Sequence, residues 1–176
     1  MNVRIARFEA TKYCTRATLT VDGVKQGVIL ELPLVPLVTG GLFAFPAGDY
    51  QILVNRSNRF SALAGHDVIL PLIQDLPGRT TLFHGQPVNG CGLRQHGGNV
   101  VNSIPVGQKG GPKPGPYDVN DPNRTDSDGC QLLGVSFGPD QRSTVSSRAA
   151  LAPYLAKLLA AQGRGEPIFL TLTNPS

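Results

Sequence analysis

Apolar and polar positions alternate from the start of the chain, where "VRIARF" has the two-residue period of a strand with one buried face. The next segment, "ATLTVDGVKQGVIL", reads as two such runs joined at Asp22-Gly23. That pair favours a tight hairpin turn because both residues tolerate positive φ. The first third of the chain is therefore predicted to be a meander. After "ELPLVPLVTGGLF", apolar but interrupted by prolines, the segment "FPAGDYQILVNRSNRF" places Pro46, Ala47 and Gly48 as a turn ahead of a strand over 50–54. "DVILPLI" and "RTTLFH" predict two more strands, the second ending at His84.

Over 85–128 the pattern is lost. "GQKGGPKPGPYDVNDPNRT" has neither periodicity nor enough large apolar residues to bury, which predicts a long irregular loop or insertion, placed at 97–127. A structureless stretch of that length inside one domain is more often functional than accidental. Helical spacing returns only late, where Leu151, Tyr154, Leu155, Leu158 and Leu159 fall on one face. Ser146 or Ser147 is available as N-cap and Gly163 as stop, while Pro153 argues for a late start or a kink. "PIFLTLT" then predicts a last strand, central or beside the first. The expected fold is mainly β, a single domain over 1–176: a β-sheet or barrel-like sandwich with one helix near the C-terminal end and one long Gly/Pro-rich loop.

Composition narrows the picture without changing it. A chain of 176 residues can bury a core without disulfides or a structural metal, and 21 Gly and 15 Pro with no Trp favour turns and short strands over long helices. The net charge of +4 comes from scattered basic residues, which suits a weakly anionic partner such as a cell-wall polymer. The basic-aromatic pattern of single-strand binders is missing, so nucleic acid is not an expected partner. The three cysteines include no C-x-x-C pair and are too few for a disulfide framework. The N-terminus lacks a charged region followed by an apolar one, and no apolar run is long enough to span a bilayer. The sequence thus predicts a soluble chain with no membrane partner. Any extracytoplasmic role would then need lysis, a phage particle or a dedicated secretion machine.

Candidate chemistry gathers at "TDSDGC", where Cys130 follows an acidic, glycine-hinged turn. A cysteine nucleophile needs a base for its proton, backbone N–H groups for the oxyanion and access for substrate. Gly129 lets the backbone turn tightly before Cys130, and His84 or His96 can supply the imidazole. No cofactor is expected.

The succession "FPAGDYQI", "NRF", "LPGRTTLFHG", "DSDGCQLLG" and a serine-bearing segment leading into a helix resembles an uncharacterised family of bacterial and phage domains. That family has a Pro-Ala-Gly turn before a strand, a strand ending in His with Gly and Asn behind it, and an acidic turn ending in Gly-Cys. The resemblance runs from the Asp-Gly hairpin to the last strand and is most specific over 126–130. The order His, then Gly-Cys, is similar in turn to the catalytic motif of L,D-transpeptidase (YkuD-like) domains, in which His-Gly precedes Ser-His-Gly-Cys in an all-β fold. The resemblance implies Cys130 as nucleophile, His84 as base, and Ser127 and Gly129 as the turn shaping the oxyanion site. It also implies peptidoglycan stem peptides as substrate, for hydrolysis or transpeptidation.

Several positions keep alternatives open. Asp128 stands where the transpeptidases carry their second His, and a carboxylate beside a thiol opposes thiolate formation. "LRQHGGN" keeps the family's His, Gly and Asn wording at His96, whereas "TTLFH" keeps its strand context at His84. A base held on a strand is the better preorganised, which favours His84. Asn99, Lys109, Lys113 and Arg124 are either solvated loop residues or the groups that hold an anionic glycan-peptide. The competing reading makes Cys130 an inert thiol in a non-catalytic module of a virion or secretion apparatus. The same thiol also reads as a zinc ligand with His84, Cys91 and His96, or as a disulfide partner of Cys91 in an oxidising compartment. His66 reads as a surface turn residue, and Cys14 and the leucine stripe as core.

Overall fold

The computed structural model describes residues 1–36, 42–98, 129–139 and 143–175. Its elements in chain order are β1 (Asn2–Ala10), β2 (Thr15–Val21), β3 (Val24–Glu31), β4 (Gly48–Arg56), α1 (Asn58–Ala64), β5 (Ile69–Asp75), β6 (Leu82–Phe83), β7 (Gln86–Pro87) and α2 (Val88–Cys91). They continue with β8 (Gln95–Gly97), β9 (Gln131–Gly134), β10 (Ser136–Phe137), β11 (Thr144–Val145), α3 (Ser147–Gly163) and β12 (Phe169–Thr173).

Eight strands form one sheet in the order β5-β4-β12-β1-β2-β3-β9-β8. The Asp22-Gly23 turn has φ of 47° and 82°, the doubly positive geometry expected of an Asp-Gly hairpin, and β2 and β3 pair on either side of it. The last strand does lie beside the first: β12 pairs parallel with β1 and antiparallel with β4. The sheet curls until its ends nearly meet, since Ile73 N–H donates to Leu93 O at 2.9 Å and Leu72 bridges to Arg94. The result is a nearly closed, barrel-like β structure.

The inner face carries the main core, drawn from both ends of the chain: Val3, Ile5, Leu19, Ile29, Ile52, Leu133 and Leu170. α3 packs onto this face through Ala150, Tyr154, Leu158 and Ala161. The stripe expected at Leu151, Leu155 and Leu159 is displaced: Leu151 and Leu155 only flank the core, and Leu159 is exposed. Pro153 neither delays the helix nor lies on its buried face. It sits at an exposed position within a helix that already begins at Ser147, where the carbonyl it leaves without a donor can be solvated.

Three sequence expectations are corrected. The helix near the C-terminal end is joined by two short ones. α1 is capped by Ser57, whose side chain accepts from Phe60 N–H, and closed by Gly65 in a left-handed conformation. Residues 86–97, expected to be irregular, contain β7, α2 and β8. The strand expected to end at His84 is only Leu82–Phe83, and His84 lies beyond it.

β8 and β9 are adjacent and parallel. Parallel neighbours cannot be joined by a tight turn, so topology itself requires a long connection between Gly97 and Gln131. The expected loop over 97–127 falls in that interval. Its first residue, Gly97, is strand, and beyond Gly98 it lies outside the described residues. Among the described residues, no helix is long and apolar enough to cross a membrane.

Candidate active site

Cys130 immediately precedes β9, and the register of the β8–β9 pair fixes what stands beside it. Gln95 pairs with Gln131 and His96 with Leu132, while Gln131 N–H donates to Arg94 O at 3.0 Å. One step earlier along both strands, Arg94 lies opposite Cys130. Side chains alternate between faces with period two, so Arg94, His96, Cys130 and Leu132 share the outer face. Leu93, Gln95, Gly129 and Gln131 turn inward.

The inward set is confirmed by its contacts. Gln95 Nε2 donates to Gln131 Oε1 at 2.8 Å. Gly129 has φ 113°, and a Cβ there would lie 2.7 Å from Phe83 Cε1 and 3.4 Å from Leu93 Cδ2. Only glycine allows the chain to pass this close to Phe83 and then deliver Cys130 to the other face. Cys130 is half-buried.

His96 is buried, with its ring centroid 4.6 Å from that of Phe60 on α1. Its Nδ1 lies 2.8 Å from Gly97 O. A carbonyl oxygen only accepts, so Nδ1 is the donor in this contact.

Arg94 is 9% exposed, and four hydrogen bonds fix its guanidinium. Nη1 donates to Leu70 O at 2.9 Å and Asn55 O at 3.3 Å; Nη2 donates to Asn55 Oδ1 at 2.8 Å and Arg56 O at 3.1 Å. All four acceptors are neutral. Burial pulls the guanidinium below its ordinary value, against a smaller Coulombic influence from Cys130 that raises it.

His84 occupies a different setting. It is exposed at the turn between β6 and β7, with φ 52°, and its ring sits 4.1 Å from Phe43 and 4.2 Å from Phe83. Partial burial against these rings pushes the imidazole below the usual histidine range. The reason for preferring His84 is therefore reversed: His96 is the histidine held on a strand, and His84 is the one in a turn.

No family model matches the chain, and neither a curated protein nor a solved structure does. The arrangement of the residues is thus what speaks to function.

None of the three cysteines is in a disulfide, which removes the Cys91–Cys130 pairing. The Cys91 thiol is directed at the carbonyls of Pro87, Phe83 and Gln86, at 3.2, 3.7 and 3.8 Å, and burial raises its pKa. Among the described residues no three His, Cys, Asp or Glu side chains gather closely enough to hold a metal ion. His84, Cys91, His96 and Cys130 thus do not assemble as a zinc tetrad. Cys14 is buried in a second core cluster with Leu30, Leu32 and Leu132, and His66 is an exposed turn residue, as expected. Asn99, Lys109, Lys113, Arg124, Ser127 and Asp128 lie outside the described residues.

Behind the outer face runs a polar chain that the sequence reading missed. Tyr154 Oη donates to Gln95 Oε1 at 2.5 Å, Gln95 to Gln131, and Gln131 Nε2 to Glu31 Oε1 at 3.0 Å. Glu31 is held by both Nε and Nη2 of Arg7, at 2.7 and 2.8 Å, and Arg7 reaches on to Phe45 O and Asn174 Oδ1. Each link uses a donor and an acceptor that burial would otherwise leave unsatisfied. The chain clamps β8 to β9, and so fixes the register that puts His96 opposite Leu132, on the same face as Cys130 and two residues along from it. Burial raises the Tyr154 phenol far above its ordinary value, which keeps it a donor at any physiological pH. Nothing local in "LRQHG" points to Arg94 or to this chain, whose links join residues far apart in sequence.

Proposed function

We propose that the protein is a cysteine acyl-transfer enzyme acting on the peptide part of bacterial cell wall, with Cys130 as nucleophile and His96 as base. The observation that supports this reading is the parallel β8–β9 register, which puts Cys130 and His96 on one face of neighbouring strands. The Gly97 carbonyl orients the ring so that Nε2 is the nitrogen able to take the thiol proton. In the proposed reaction, Cys130 sulfur attacks a stem-peptide carbonyl and the proton passes to His96. The tetrahedral intermediate collapses, the leaving amine takes that proton, and a thioester remains. Water or an acceptor amine, deprotonated by the same imidazole, then releases the acyl group. Backbone N–H groups around Gly129 are the proposed oxyanion donors. The substrate class rests on the resemblance of the His-Gly and Gly-Cys segments to L,D-transpeptidase-like motifs, here transferred to His96-Gly97.

The test is muropeptide turnover followed by mass spectrometry. Cys130→Ala is expected to abolish it while leaving the circular dichroism and melting temperature of the parent. Undiminished turnover in that variant overturns the reading.

A further inference from the structure

Arg94 is a buried cation whose hydrogen-bonding partners are three backbone carbonyls and one side-chain amide oxygen. Buried guanidinium groups ordinarily meet a carboxylate, because an uncompensated charge out of water is costly. Among the described residues, no carboxylate bonds to it. Its backbone neighbour on the adjoining strand is Cys130, set by the bond from Gln131 N–H to Arg94 O, so the two side chains leave the sheet on one face, with the guanidinium held on the β4–β5 side of that face.

We propose that Arg94 is a positioning residue that holds Cys130 as a thiolate, so that the resting site contains a thiolate–guanidinium pair rather than a neutral thiol awaiting a base. This deepens, and rests on, the acyl-transfer reading of the same site. Four hydrogen bonds fix the cation, so it cannot swing out to solvent, and its charge acts on the sulfur whether or not substrate is present. The proton that the thiol gives up is then held on His96 Nε2, which delivers it to the leaving group. A permanent thiolate also makes the site reactive toward electrophiles when no substrate is bound.

The surroundings favour this arrangement. Arg94, just before β8, and His96 within it share a face with Cys130, while Leu132 of β9, Leu30 of β3 and Leu32 just beyond β3 contribute apolar neighbours. Glu31 lies in the polar chain on the inner face, paired with Arg7. α1 brings Phe60 against His96, with Arg59 beside it at the exposed surface. Asp126 and Asp128, just before Cys130 in sequence, are acidic residues of the kind that act against a thiolate.

The experiment is the pH dependence of iodoacetamide alkylation of Cys130, read by peptide mass spectrometry with Cys91 in the same digest as internal reference. Arg94→Met is expected to move the half-maximal rate of Cys130 upward by about one pH unit or more. Arg94→Lys, which keeps the charge, should restore most of the shift, and the Cys91 profile should stay in place in both. A folded Arg94→Met protein whose Cys130 profile superimposes on the parent overturns the proposal. Should that variant fail to fold, the parent protein decides: a native Cys130 profile no more acidic than that of the same thiol in denaturant overturns it equally. An acidic thiol in a protein without muropeptide turnover overturns the acyl-transfer reading and leaves the pair standing.

Discussion

His84-Gly85 and His96-Gly97 spell the same pair of residues, yet one lies at a hairpin tip and the other inside the sheet. The residues ahead of His84, Thr81-Leu82-Phe83, have the stronger strand propensity, but only Leu82 and Phe83 pair, and with a strand just as short. Those ahead of His96, Leu93-Arg94-Gln95, look less like a strand in isolation. They are held on both sides, by β5 through Leu93 and Arg94 and by β9 through Gln95. The difference teaches that strand character here comes from available partners rather than from local preference.

This contrast can be broken most sharply at the two imidazoles. His96→Gln is expected to lower turnover about a hundredfold to ten-thousandfold, the usual contribution of a positioned base or acid. His84→Gln should leave it within about twofold, as for an exposed side chain outside the reacting groups. Comparable losses in the two variants would mean that the turn, not the strand, holds the working histidine.

Gly129→Ala sharpens the comparison from the side of the cysteine, because this residue touches both regions through Phe83 and Leu93. The added methyl meets Phe83 at an φ that side chains rarely adopt, and a destabilisation of about 3 kcal/mol is expected in denaturant unfolding. Cys130 alkylation should change with it, whereas a stability near that of the parent would show that the turn has room to spare. The smallest expected effect is at Tyr154→Phe. Losing its donor leaves Gln95 Oε1 buried without a partner, at a cost of about 1–2 kcal/mol. Hydrogen exchange should rise at the amides of β8 and β9 but not in the β6–β7 hairpin, and equal rises in both would break the link between the polar chain and strand register.

Much of the fold was legible because it is written in short-range signals. Asp22-Gly23 fixes one hairpin, the alternation in β1 and β2 fixes which face is buried, and "PIFLTLT" has a strand's composition. β8 was not legible, since Gly97-Gly98-Asn99 reads locally as a turn and its pairing partner lies more than thirty residues away in sequence. Nor could α1 be read from periodicity, because a helix of 7 residues has only one buried position, Ser61. Of the candidate site, Cys130 and the glycine before it could be picked out from their turn chemistry. The choice of histidine and the role of Arg94 could not, because both depend on which strands become neighbours.

The seam where Leu72 meets Arg94 has a further consequence. An open sheet offers two rows of unsatisfied amides to any passing chain, and it is along such margins that proteins template their own aggregation. Here the same arginine that neighbours the cysteine also helps to close the sheet. Loosening this residue should therefore show itself first as a protein that sticks to its own copies.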